Sequence, residues 1–491
     1  LIEQAQAQIE AERVSAEAAI EAAAEAQALE LEALGDEYLS ARAADLRDVA
    51  AQVRRALTGE QSLGERLAAP AVVVARDLGP SDLMSVPRER LLGFALAAGG
   101  LTAHSSILAR GLGIPAVVGL GEGLLAAASD GVTMALDGAA GTLTIDPPAD
   151  ELARLREAAR GQAEREAALR AEAALPAVTR DGRAIALVAN ASTPEEARAA
   201  REWGAAGVGL LRTELLFLER PTLPDEEEQL ALYRAVAAEL PGAPITVRTL
   251  DVGGDKHLPA FPLPKEENPF LGWRGIRIGL SEPERILLPQ LRALLRAGAE
   301  APIRIMLPMI STPAELERAR ALLARAAAEL EAAGTPHAER VELGVMIEVP
   351  AAALNAQALA RSADFFSIGT NDLTQYTMAC DRGNSRVAEL YQPLDPAVLR
   401  LIRMACEAAH AHGRHAAVCG ELGGDPRATP LLIGLGVDEL SCAPASLPHV
   451  RAAIRATDSA AAAALAEAAL AASGPDEVQK LLAQWHAAQG S

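Results

Sequence analysis

The run Gly99-Gly100-Leu101-Thr102-Ala103-His104-Ser105-Ser106-Ile107-Leu108-Ala109-Arg110 sets one histidine on a glycine-rich turn that opens a helical spacing. The apolar stretch Leu91 to Leu96 leads into it and reads as a strand. Backbone N–H groups at a helix start are unpaired and hold anions well. Neutral imidazole is a nucleophile near pH 7, so His104 suits the work of a phosphoryl carrier. A capping or core histidine is the plainer reading of such a residue taken alone. A second set lies further on: Arg212, Arg248, Glu348, the pair Asn371-Asp372, and Cys419. Each falls at or just after the end of a short apolar run. Singly, such residues are most often structural ion pairs or buried thiols. Together they have a chemistry. Arg212 and Arg248, with Arg274 and Arg382 in nearby loops, can pair bidentately with phosphate and carboxylate. Glu348 and Asp372 are hard oxygen ligands suited to Mg²⁺, which uses one or two carboxylates beside substrate oxygens. The implied substrate is a small phosphorylated acid bound with a metal.

The elements that must position these residues follow a regular alternation. Eight strand candidates start at Val178 or later: Ile185–Ala189, Gly207–Arg212, Ile245–Leu250, Ile303–Met309, Leu343–Val349, Phe365–Gly369, His415–Cys419 and Glu439–Cys442. Helical stretches such as Ala197–Glu202, Glu226–Glu239, Glu284–Ala297, Ala314–Ala333, Ala351–Arg361 and Pro396–His412 separate most of them. Eight such units fit the size of a TIM (β/α)8 barrel, whose reactive side chains gather at the C-terminal ends of strands. An open doubly wound sheet is the alternative, and no dinucleotide fingerprint opens it. Before the barrel, residues 61–147 read as a small α/β domain with strands Ala71–Ala75, Leu91–Leu96, Ile114–Val118, Val132–Leu136 and Thr142–Ile145. His104 sits in its middle. Residues 148–176 are charged, helical and poor in anything to bury, which suits a linker between bodies that move. Residues 1–60 are helical by spacing, with Glu32–Arg55 as one long amphipathic helix that Gly35 could interrupt. They carry no catalytic constellation, so they read equally as a structural subdomain or as a docking surface.

Composition narrows the class. The chain has 491 residues, enough for two to four domains, and a net charge of −21 with no basic run. Nucleic acid and anionic membrane surfaces are poor partners for such a chain, and a basic protein is a good one. No apolar run reaches the length of a membrane span and no signal peptide is visible, which points to the cytoplasm. Cys380, Cys406, Cys419 and Cys442 fit neither a zinc site nor a disulfide framework. The first residue falls inside an amphipathic pattern, so a natural N-terminal segment is expected to be missing.

The motifs resemble the enzyme I family of the bacterial phosphoenolpyruvate-dependent sugar phosphotransferase system. The run Gly99–Arg110 resembles its phosphohistidine signature. Asp251-Val252-Gly253-Gly254-Asp255-Lys256 and Glu266–Arg277 resemble its barrel loops. Phe366–Tyr376 and Asp381-Arg382-Gly383-Asn384 resemble its second signature. The resemblance covers almost the whole chain. It implies an α/β fold: a C-terminal TIM barrel over 177–491, a swivelling phosphohistidine domain over 61–147, and an incomplete helical subdomain over 1–60 that docks the carrier protein HPr. It implies transfer of the phosphoryl group of phosphoenolpyruvate to His104 and then to HPr, with release of pyruvate. Arg212, Arg248, Arg274, Asn371, Asp372 and Arg382 are implied to bind substrate, Glu348 and Asp372 to hold Mg²⁺, and Cys419 to protonate the enolate. Lys256 is implied as a further positive group. Dimerisation through the barrel is also implied. Two departures stand out: the family's first strand has no counterpart here, and Ala103 replaces a common hydroxyl residue. Pyruvate phosphate dikinase and phosphoenolpyruvate synthase share the histidine and barrel but need an ATP-binding domain that nothing here resembles. A nitrogen-branch paralogue, or a regulatory protein keeping the fold without turnover, are the remaining alternatives.

Overall fold

The computed structural model describes residues 1–33, 37–99, 109, 114–218, 220–254, 258–384 and 386–489. Among them the chain divides into two compact units, Leu1–Glu164 and Arg165–Ser491.

The first unit begins with helices Ile2–Glu12, Ala16–Ala33 and Glu37–Thr58. One continuous helix from Glu32 to Arg55 is therefore corrected to two, with Gly35 outside the described residues. The two segments pair with each other. Arg47 bonds Glu25 at 2.8 Å and Arg54 bonds Glu21 at 2.9 Å, an antiparallel match. Next come β1 (Ala71–Ala75), β2 (Leu91–Leu96) and β3 (Ala116–Val117), a parallel sheet in that order. β3 is shorter than Ile114–Val118 because Pro115 has no N–H for the ladder and serves only as an acceptor, from Phe94 N–H at 3.0 Å. β4 (Met134–Asp137) and β5 (Thr142–Ile145) form a hairpin. The Asp137 carboxylate closes its turn by accepting the N–H groups of Ala139 and Ala140, each at 2.9 Å. The stretch around His104 lies outside the described residues.

Helix Ala149–Ala171 crosses the division between the units. Within the second unit the Arg170 guanidinium lies 4.5 Å from the centre of the Trp203 ring.

The second unit is a closed barrel of eight parallel strands. They are β6 (Ala186–Ala191), β7 (Val208–Leu211), β8 (Ile245–Arg248), β9 (Ile303–Leu307), β10 (Glu342–Ile347), β11 (Phe366–Ile368), β12 (Ala416–Val418) and β13 (Glu439–Cys442). Each pairs with the next in sequence, and β13 closes onto β6 through Glu439↔Ala186 to Cys442↔Ala189. Their near-continuous apolar runs reflect burial on both faces. Outside, Leu211, Ile245, Ile305, Val345 and Ile368 join helix residues such as Leu291, Leu294, Leu399 and Ile402 in one core. Inside, Leu210, Met306, Met346, Phe365 and Cys419 fill the barrel. Gly344 makes room for Phe365, since a Cβ there would meet its ring at 2.4 Å.

Most barrel strands stop one or two residues earlier than expected, because the chain leaves the sheet where the polar residues begin. Two helices also differ. Glu284–Ala297 starts as a π turn, Pro283–Leu287, before helix Leu288–Gly298, since Pro289 cannot give the regular i→i−4 bond. Ala351–Arg361 is two short helices, Pro350–Leu354 and Ala356–Leu359, broken at Asn355. Among the described residues no helix is long and apolar enough to cross a membrane.

Candidate active site at the C-terminal end of the barrel

The C-terminal strand ends bring charged residues into a dry space. Arg248 is the last residue of β8, and Asp251 follows three residues later. Arg274 lies in the loop before Gly275, Glu348 follows β10, Asp372 sits in the first turn of helix Thr370–Met378, and Cys419 follows β12. Arg248, Asp251, Arg274, Glu348, Asp372 and Cys419 are each at most 7% exposed. Buried charges survive only when paired, and here the pairing is dense. Arg274 bonds Asp251 through Nε and Nη2, each at 3.1 Å, and Asp372 through Nη1 and Nη2, each at 3.1 Å. Its Nη1 also donates to the Tyr376 hydroxyl at 3.0 Å. All five guanidinium N–H groups are thereby used. Arg248 bonds Glu214 through Nη2 and Asp251 through Nη1 at 3.2 Å. Its buried Nε has no hydrogen-bond partner.

Local backbone shape makes these contacts. Gly253 (φ 103°) and Gly254 (φ 71°) fold the loop after β8 against the next one. A Cβ on Gly253 would strike the Trp273 carbonyl oxygen at 2.7 Å. Met309 adopts φ 57°, a left-handed conformation uncommon for such a residue. That turn aims its N–H at Glu348 Oε1, 2.6 Å away. Gly369 lets the other Glu348 oxygen approach, since a Cβ there would lie 3.0 Å from it. The ladder shifts register between Ala189 and Asn190. Asn190 then donates to the Cys419 carbonyl at 3.1 Å and accepts from Ser441 Oγ at 2.6 Å, which fixes the segment carrying the thiol.

Burial and charge set the protonation states. Burial pushes the Cys419 thiol up to about 11; the Ser367 hydroxyl and the two arginines Arg248 and Arg212 oppose this, and Glu348 adds to it. The thiol therefore keeps its proton at neutral pH. Burial, with Asp372 and Asp251 nearby, pushes the Glu348 carboxyl up to about 8 against Arg274 and Arg248. Burial disfavours the charge on Arg274, but Asp251 and Asp372 more than offset it and hold its pKa above the ordinary value.

Three expected residues lie at the rim. Arg212 is exposed and borders a cavity of about 330 Å³ with Asn190, Ser192, Glu196, Glu421 and Asp425. Asn371 is clasped by Glu421, donating to its Oε1 at 3.3 Å and accepting its N–H at 2.9 Å. Arg382 is exposed, its N–H donating to Gln375 Oε1 at 3.2 Å. His104 and Lys256 lie outside the described residues. Reading the residue types left Glu214, Asp251, Met309 and Tyr376 without roles. Asp251 opens the Asp251-Val252-Gly253-Gly254 run and Tyr376 closes the Phe366–Tyr376 run, and that was their only signal in the sequence.

Among the described residues no three His, Cys, Asp or Glu side chains form a ready metal cage. Glu348 and Asp372 nonetheless fit Mg²⁺, which needs only one or two carboxylates. Glu214 and Asp251 pair with the buried Arg248, and Asp251 and Asp372 pair with the buried Arg274. Burial, with Asp372 and Asp251 beside it, raises the Glu348 carboxyl, and a divalent cation there would favour its charged form.

Comparison with known proteins agrees with this arrangement. Residues 67–141 match the family described as PEP-utilising enzyme, mobile domain, and residues 166–459 match PEP-utilising enzyme, PEP-binding domain. A phosphoenolpyruvate-protein phosphotransferase of Geobacillus stearothermophilus is 45% identical over 449 residues, 91% of this chain and 77% of that protein. That of Bacillus subtilis (strain 168) is 43% identical over 444 residues, 90% of this chain and 78% of that protein. A multiphosphoryl transfer protein of Xanthomonas campestris pv. campestris is 48% identical, covering 92% of this chain and 54% of that longer protein. With likeness of this extent, a closed barrel of the right kind and the matching domain families, the chain belongs to the phosphoenolpyruvate-protein phosphotransferase family.

Proposed function

We propose that this chain takes the phosphoryl group of phosphoenolpyruvate onto His104 and passes it to a histidine of HPr, releasing pyruvate. The observation that carries the reading is the buried cluster of Arg248, Arg274, Glu348, Asp372 and Cys419 at one end of the barrel. Phosphoryl transfer needs an aligned nucleophile and positive charge around the spreading negative charge. Arg212, Arg248, Arg274 and Arg382 supply that charge, and Asn371 helps orient the acid. Glu348 and Asp372 hold Mg²⁺. When bound, the ion neutralises phosphoryl oxygens.

The imidazole of His104 forms a bond to phosphorus as the bond to the enol oxygen breaks. The enolate left behind accepts a proton at carbon from Cys419 Sγ, which is kept protonated for that purpose by burial. Solvent restores the thiol proton. The second displacement gives the phosphoryl group to HPr, so the kinetics are ping-pong. His104 has to meet the barrel mouth and HPr in turn, which assigns a swivel to residues 61–147 and the hinge to residues 148–176. Residues 1–60 dock HPr, whose basic face suits an acidic chain. The active form is a cytoplasmic homodimer joined through the barrel, serving sugar uptake.

Labelling with radioactive phosphoenolpyruvate and Mg²⁺ tests this. Acid-labile label is expected on the parent, absent in His104→Ala, and chased onto HPr when HPr is added. Label that persists in His104→Ala overturns the assignment.

A further inference from the structure

The two ends of the Arg274 guanidinium are held by different carboxylates. Asp251 grips the side edge, Nε and Nη2, and Asp372 grips the end edge, Nη1 and Nη2, all at 3.1 Å. Both are two-bond forks, the geometry in which guanidinium also takes a phosphate. With Tyr376 on the remaining N–H, Arg274 has no donor left for a ligand. An anion can reach it only if one carboxylate lets go.

The surroundings decide which. Asp251 is 1% exposed and also bonds Arg248, so its release would take a partner from two buried cations at once. Gly275 packs against it as well, since a Cβ there would lie 3.2 Å from Asp251 Oδ1. Asp372 makes no such second bridge to an arginine among the described residues, and it lies in the helix turn that follows Gly369, against which a Glu348 oxygen packs. A divalent cation shared with Glu348 would give Asp372 an alternative partner.

We propose that Arg274 is a two-edged latch: Asp251 is the positioning residue that holds one edge throughout, and Asp372 covers the other edge until a divalent cation draws it away and exposes that edge to phosphate. The inference rests on the barrel being the phosphoenolpyruvate site. It makes metal and phosphate binding cooperative through one side chain, apart from any direct metal–phosphate bond.

The test is calorimetric and needs no turnover. Inorganic phosphate is titrated into the full chain in EDTA and in Mg²⁺. In EDTA, Asp372→Asn is expected to bind phosphate about tenfold more tightly than the parent, a typical allosteric coupling. Asp251→Asn removes the same charge from the other edge, and is expected to weaken phosphate binding at least about fivefold in Mg²⁺. A general field effect would strengthen binding in both variants, so opposite signs distinguish the latch. Thermal melting checks that each variant folds. If Asp251→Asn does not, Glu348→Gln, which leaves both edges of Arg274 covered, replaces it and is expected to give no gain in EDTA. Equal gains in Asp372→Asn and Glu348→Gln, or no gain in Asp372→Asn, overturn the proposal. So does a parent that binds no phosphate in either condition. Labelling of His104 is read separately, so failure of the latch leaves the phosphotransfer reading standing.

Discussion

At the scale of single residues, burial turns ordinary side chains into reagents. Cys419 shows it most directly. Its thiol is pushed up to about 11, so thiolate, the nucleophilic form, is scarce until the pH nears that value. Iodoacetamide is expected to modify Cys419 slowly at pH 7 to 9, with the rate rising only as pH climbs toward 11; peptide mapping reads this out. Rapid alkylation at pH 7.5 would contradict the buried, protonated thiol. As a proton donor to carbon, the same group makes a catalytic prediction. Cys419→Ala is expected to lower the rate of pyruvate formation by about 10²- to 10⁴-fold, the usual worth of a positioned acid. Phosphate affinity of the barrel should be unchanged, because Sγ lies within hydrogen-bonding range of the Ile368 carbonyl oxygen, 3.7 Å away, and serves no arginine as a partner. Arg248→Lys tests the arginines differently. A lysine cannot span Glu214 and Asp251 at once, so substrate affinity should drop about tenfold or more. An unchanged KM would remove Arg248 from the binding groups.

At the scale of elements, the barrel depends on side chains shaped to one another across its interior. Gly344 is the sharpest case, with the Phe365 ring where a Cβ would stand. Gly344→Ala is expected to cost about 1–3 kcal/mol through overpacking, seen as a lower urea midpoint. Phe365→Leu in the same chain should recover part of it. Much of this scale was legible beforehand. Apolar runs of four to seven residues, mostly spaced by helical stretches, marked all eight barrel strands, and polar residues at the ends of five of them marked the mouth. Helix breaks were harder. Pro289 gave a visible reason for the π turn, whereas Asn355 gave none, since asparagine is tolerated inside helices. The carboxylate partners of the arginines were also hidden. Glu214 looks like any acid until the fold places it, with Asp251, against Arg248, and the left-handed turn at Met309 serves its N–H bond to Glu348, which no local pattern encodes.

At the scale of the whole molecule, the floor of the barrel sets a pH limit on stability. Glu439, at the start of β13, is buried, and burial raises its carboxyl to about 7, with Arg304 at 3.9 Å only partly opposing this and Asp438 and Glu342 adding to it. The unfolded chain loses that proton near 4.5. Between these values the folded form holds more protons, so stability falls as pH rises from about 4.5 to about 7 and the penalty persists above. Glu439→Gln should therefore stabilise the barrel at pH 8, on the order of 2 kcal/mol, and do little at pH 4.5. Denaturant melts at both pH values check this; a gain of equal size at pH 4.5 would point to packing instead.

The seam between β13 and β6 has a consequence for how the chain is made. Ala186 leaves the ribosome about 250 residues before its partner Glu439, which at ~5–20 residues per second is on the order of 10–50 s. Throughout that interval the nascent barrel is an open sheet with two unpaired, mostly apolar edges, the kind that joins to other chains. The newly synthesised protein is thus most exposed to aggregation just before its last strand emerges.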